Sequence, residues 1–399
     1  MPGGRGATAG ISTRRSTTSR RASGSGPSGG SPRRASGRSA TAVPGAATGT
    51  ARPPPSSSVP LSYMPGPVGE VVWRAFLASV CFGALYWCSR VGVPRPLARR
   101  DWPIFFLLVL WSVTGCLNNG QSSTQLVGCL VGAVAACCTG RWWIAAVLVT
   151  IPTTLKLYPV AFGLLLAALY PRQFGWRFAM TLAAAFALPF IFRPHGMRVE
   201  HQRWWWHLTN DAKALPAITS WDQDVRILRY RAFGIVMSMR AFMILQAVIG
   251  VFIGAVCIAG RLAAWPRRGL IPRAYGMTAV WMTAFGMATE PSTYILVAPA
   301  LAWSLWEVWL RRSRTAAVHG GQSPGGALSR VVLVVSYLLF LTAYAFLWFP
   351  WGHLTNSYGP GPLAGVLILG YFIARSWREI RGRVRIDLPK PSPSELNPV

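Results

Sequence analysis

The sequence predicts an all-α fold, a polytopic transmembrane helical bundle, on three observations. Of 399 residues, 52% are hydrophobic and only 13% are charged, against about a quarter charged in soluble domains. From about residue 68 onward the apolar residues fall in long runs, separated by short loops that carry Arg. The chain also holds 19 Trp and 18 Phe, which suit bilayer spans and the aromatic belts at membrane interfaces.

Residues 1–60 are a different material. They are Arg, Ser, Gly, Ala, Pro and Thr, without Asp, Glu, Phe or Trp. Such a segment buries too little apolar surface to offset its ordering entropy, so disorder is expected. It reads as a basic low-complexity tail, and its composition also fits a GC-rich gene translated in a non-native frame. The body, 65–378, holds eleven apolar stretches: roughly 70–91, 103–118, 122–139, 142–153, 156–171, 174–192, 236–260, 272–289, 291–310, 328–349 and 361–377. Several fall short of the ~20 residues a perpendicular span needs. Short helices are tolerated where protein covers their ends, and 142–153 is a candidate re-entrant segment. Residues 379–399 form a second tail.

The positive charges orient these stretches. Arg95, Arg99 and Arg100 share one loop; Arg141 lies in a second, and Arg172 and Arg177 flank a third. Arg261, Arg267, Arg268 and Arg273 fill a fourth, and Arg311, Arg312 and Arg314 a fifth. Arg378, Arg381, Arg383 and Arg385 follow the last stretch. Eleven spans put all these regions on one side, expected to be cytoplasmic and to include the C-terminus. A bacterial plasma membrane protein is the expectation. The net charge of +29 is therefore no sign of a nucleic-acid partner, and no base-reading motif is present. The same parity puts residue 60 outside, where nine Arg without an acid should resist translocation. The conflict predicts a twelfth span missing upstream. The seven Cys lie in apolar runs without metal-ligand spacing and read as small buried hydrophobes.

The unusual polar residues fall on the opposite face. Asn118-Asn119-Gly120-Gln121 makes a tight turn, and Gln121 to Gln125 gives the next helix a polar start. A helix start offers free N–H groups to an anion such as phosphate. Lys156 stands between apolar stretches, within Lys156-Leu157-Tyr158-Pro159. A charge so placed is a functional candidate by default; snorkelling to the interface is its bland alternative. The segment 193–235 contains Trp204-Trp205-Trp206, Asp211, Asp222 and Asp224. A Trp-rich helix there could lie along the interface, and Trp with Asp also suits a sugar. The three Asp are candidate general bases. Glu290, before Pro291, either caps a helix or meets substrate. His353 is a further phosphate-binding candidate. No metal site and no resident cofactor are expected.

These motifs resemble glycosyltransferase family 87. The resemblance rests on Asn119-Gly120-Gln121, Lys156-Leu157-Tyr158-Pro159, Tyr170-Pro171-Arg172, Trp73-Arg74 and Thr289-Glu290-Pro291-Ser292-Thr293-Tyr294, in that common order along roughly 65–375. It implies a GT-C fold and a mannosyltransferase-like enzyme. A lipid-linked donor, a polyprenyl-phosphate sugar, would pass its hexose to a glycan or glycolipid acceptor on the outer face. Asn119, Gln121, Lys156, Tyr158, Glu290 and His353 would then bind substrate, with Asp211, Asp222 and Asp224 as substitute bases. The family's base is an Asp in the first outer loop, after a first span. Here no acid precedes Glu70. A frameshift or misassigned start over residues 1–60 would explain both departures and leave the chain inactive as written. The competing class is a transporter or lipid flippase, which predicts paired repeats that this sequence does not display. A membrane subunit without catalysis is the third.

Overall fold

The computed structural model describes residues 64–93, 97–192, 199–200, 202–203, 206, 223–286, 289–309, 326–344 and 359–387, all within the unit Pro54–Val399. Among them the chain is helical and forms no strand. In chain order the helices are α1 (Gly66–Val91), α2 (Trp102–Asn118), α3 (Ser123–Cys138), α4 (Trp142–Leu155), α5 (Val160–Leu169) and α6 (Trp176–Phe192). They continue with α7 (Val225–Phe233), α8 (Met239–Leu262), α9 (Arg267–Ala284), α10 (Ala298–Trp309), α11 (Ala327–Tyr344) and α12 (Pro360–Asp387). Each apolar stretch carries one helix, and α7 rises from the polar segment.

Four helical segments are long and apolar enough to cross a membrane: Pro67–Val91, Arg99–Asn118, Pro171–Ile191 and Met239–Leu262. The rest are shorter or more polar. At 10 residues, α5 is only about 15 Å long. Two expected stretches are cut for local reasons. Tyr170 leaves the helical region (φ −135°) and a π turn, Pro171–Gly175, leads into α6. Pro291–Leu296 winds as a 3₁₀ turn, so α10 begins only at Ala298.

The short helices survive because neighbours cover them. Almost every residue of α3 from Ser123 to Cys137 is buried. Its small residues let other backbones approach closely, the usual packing device in membranes. A Cβ added at Gly128 would stand 2.8 Å from the Val80 carbonyl oxygen of α1. By contrast, Leu188 and Ile191 on α6 and Val251 and Leu262 on α8 are exposed, as lipid-facing side chains should be.

The connections sort into two ends. At one, Cys138 Sγ lies 3.7 Å from the Gly92 carbonyl oxygen and 3.8 Å from that of Arg267, joining the ends of α1 and α3 to the start of α9. Arginines there stack on rings: Arg141 over Trp87, Arg261 over Tyr170, Arg267 over Trp142, Arg273 over Trp265. The same end holds an ionic clamp. Arg273 of α9 grips Glu379 of α12 through two 2.7 Å bonds. Arg375 of α12 grips Glu307 of α10 through two 2.6 Å bonds. The arginine-rich connections thus gather together, and the polar motifs are left at the other end.

Candidate active-site end of the bundle

The site is built first on the α2–α3 turn. Gly120 adopts φ +59°, a conformation cheap only for glycine. The Trp73 indole of α1 donates a 2.9 Å hydrogen bond to the Gly120 carbonyl, and the Gln121 amide donates to the Cys116 carbonyl at 2.9 Å. This double tie presents the start of α3. There Thr124 and Gln125 are buried. Gln121 Oε1, Thr124 Oγ1 and Gln125 Oε1 receive no hydrogen bond from a described residue. Buried polar atoms are nearly always satisfied, so this pocket is chemically incomplete. The positive end of the α3 dipole points the same way.

The α4–α5 connection supplies the cation. Pro152 inside α4 and the extended backbone of Lys156 (φ −143°, ψ 133°) end the helix there. Lys156 Nζ lies 5.9 Å from the Tyr158 ring centre and pairs with no carboxylate among the described residues. Tyr158 faces the 289–294 connection. Burial pushes its phenol above the ordinary range, the Cys116 and Glu290 charges push the same way, and the adjoining Thr293 hydroxyl pulls it back. Cys116 feels the charges of both Lys156 and Glu290, and its thiol reaches the Ser292 carbonyl at 3.3 Å. Lys156, Tyr158, Cys116 and Glu290 therefore share one locale, next to the turn that carries Gln121. Glu290 is exposed and accepts a 3.2 Å bond from the Ser292 hydroxyl.

A third element closes this end. The Gln223 amide donates to the Thr289 carbonyl at 2.7 Å, and the Tyr294 hydroxyl donates to the Gln223 carbonyl at 2.8 Å. Asp224 caps α7 by accepting from the Arg226 amide at 2.8 Å. Its two oxygens also take the Arg226 guanidinium at 3.0 and 2.6 Å, in a pair only 2% and 0% exposed. Asp224, a base candidate by sequence, is thus engaged by its own helix and holds α7 in place. Asn119 is exposed at the turn, with no side-chain contact that ties it to Lys156. Asp211, Asp222 and His353 lie outside the described residues.

Sequence reasoning missed the parts Cys116 and Thr293 play. Nothing in an apolar run singles out one Cys, because its value here comes from the neighbour it meets. The Asp224–Arg226 pairing did leave a signal, since an Asp just before a helical run is an N-cap pattern.

A family model described as glycosyltransferase family 87 matches residues 54–291. The matched stretch runs from ahead of α1 to the 289–294 connection and includes Trp73, the α2–α3 turn, Lys156 and Glu290. No curated protein and no solved structure matches the chain.

Proposed function

The chain belongs to glycosyltransferase family 87, and on that premise we propose that it transfers a mannose-like hexose from a polyprenyl-phosphate donor to an acceptor hydroxyl. The reaction takes place at the end of the bundle that carries Lys156 and Glu290. That end faces the outside of a bacterial plasma membrane, and the arginine-rich end, with the C-terminus, faces the cytoplasm.

The observation that carries this reading is the meeting of an uncommitted cation with an unsatisfied helix start. Lys156 has no carboxylate partner among the described residues, and Gln121, Thr124 and Gln125 leave buried polar atoms open beside it. A phosphate fits both. Its oxygens would take the ammonium charge and the Thr124 hydroxyl, and side-chain amides would complete the set.

The transfer then runs as an inversion. A carboxylate takes the proton of the acceptor hydroxyl, whose oxygen bonds to the sugar's anomeric carbon. The bond from that carbon to the phosphate oxygen breaks, and its electron pair leaves with polyprenyl phosphate. Negative charge grows on the departing phosphate, where Lys156 and the α3 start stabilise it most. Glu290 lines the acceptor side. Asp224 is spoken for by Arg226, so the base is Asp211 or Asp222, in the segment that α7 anchors.

Membranes containing the chain, incubated with a radiolabelled polyprenyl-phosphate hexose, should yield labelled glycolipid or glycan. Movement of the donor across sealed vesicles with no transfer to any acceptor would instead establish the flippase class and end the enzyme reading.

A further inference from the structure

An apolar cleft of about 240 Å³ opens between α5, α8 and α9, lined by Ala161, Leu164, Leu165, Gly250, Ile253, Thr278 and Trp281. Its shape follows from small residues. A Cβ at Gly250 would already stand 3.3 Å from Trp281 Nε1, so the missing side chain leaves the floor open. Trp281 is held as a wall, its indole donating to the Gln246 carbonyl at 2.9 Å. Leu164 at the rim is 60% exposed, so the cleft opens sideways from the bundle toward the lipid.

The cleft lies directly below the cation. Ala161 and Leu165 follow Lys156 by five and nine residues, about 8–14 Å along a helix. Tyr158, Ala161 and Leu165 are spaced three and four apart, so they share a side of the chain as it winds into α5. The Ala161 amide donates to the Tyr158 carbonyl at 3.1 Å, which makes the passage from polar connection to apolar helix continuous. A lone ammonium above a dry, laterally open slot complements one kind of molecule, an amphiphile with an anionic head and an apolar tail.

We propose that this cleft seats the hydrocarbon tail of the phosphate-bearing lipid whose head Lys156 binds, so that the lipid arrives sideways from the bilayer between α5 and α8. This rests on the transferase reading for the identity of the head, and adds the place and direction of the tail.

The test uses the full chain in lipid nanodiscs and an isoprenyl phosphate with a diazirine in its tail, beside the matching isoprenol without phosphate. Photolabel should map to α5 and α8 around Leu164 and Ile253, and not to the equally lipid-exposed Leu188 and Ile191 of α6. Lys156→Ala should reduce cleft labelling by about tenfold, the scale of a lost charge-assisted contact. Leu164→Trp, at an exposed position that folding tolerates, should block it. Equal labelling of α6, or equal labelling by the isoprenol, overturns the proposal as mere bilayer contact. Sugar transfer measured on Leu164→Trp separates the two readings. Full transfer with cleft labelling lost puts the tail elsewhere and leaves the enzyme intact. Labelling as expected, with no transfer from any donor by the unaltered chain, keeps the lipid site and removes the transferase.

Discussion

At the scale of single residues, Lys156 and Asp224 show how burial and partners divide function from structure. Lys156 keeps a charge that no described carboxylate neutralises, which in an apolar setting requires a ligand or a path to water. A charge-assisted bond contributes about 1.5–3 kcal/mol, or about 10–100-fold in rate when made to the transition state. Lys156→Ala should therefore lower transfer by that range at unchanged melting temperature, and Lys156→Arg should restore part of it. An unaltered rate in Lys156→Ala would mean that this Lys only snorkels. Asp224 stands at the opposite pole, because both its oxygens serve Arg226. Removing one partner of a buried ion pair costs about 3–5 kcal/mol. Asp224→Asn should lower the thermal midpoint clearly, and any loss of transfer should follow the loss of folded protein. A variant of full stability with no activity would return Asp224 to the catalytic candidates.

At the scale of elements, α12 is an example of a helix held by charges more than by greasy contact. Arg273 and Arg375 reach it or extend from it to tie α9 and α10. Although burial works to raise it, the Arg273 and Arg375 guanidiniums together hold the Glu379 carboxyl below its ordinary value of 4.5. The lowered folded-state value fixes the sign. Glu379 stabilises the fold fully above its ordinary value, and the contribution fades as pH falls through the lower folded value. Melting curves of the wild type and Glu379→Gln in detergent should differ at neutral pH and converge in acid. A gap that persists unchanged below that range would assign the difference to packing. Similar logic applies to the α2–α3 turn, where the Trp73 indole and the left-handed Gly120 hold the start of α3.

At the scale of the whole molecule, the two ends differ in chemistry and the chain runs from one to the other. Trp73 ties the start of α1 to the site end, and the Arg273–Glu379 clamp ties the end of α12 to the arginine end. Single cysteines introduced at Asn119 and Arg268, in a background without native Cys, should label from opposite sides of intact cells with an impermeant maleimide. Arg381→Cys should behave like Arg268→Cys. Labelling of both ends from one side would break the orientation on which the proposed reaction depends.

Much of this was readable from the chain alone, and the physical reason is the bilayer. Membrane burial demands apolar runs and closed backbone hydrogen bonding, so each helical stretch announces itself. The arginine loops sort by side for an equally local reason. The sequence could also mark Gln121, Lys156 and Glu290, because a polar residue between apolar runs is conspicuous. It could not say which of them meet. Cys116 and Ser292 are 176 positions apart, and only the packing of α2 against the 291–296 turn joins them. Nor could it reveal that Asp224 is consumed by Arg226, that α5 stops after ten residues, or that a cleft opens beneath Lys156. Those depend on the distances between helices. Close packing through small residues such as Gly128 and Gly250 sets those distances, and only the tertiary structure decides them.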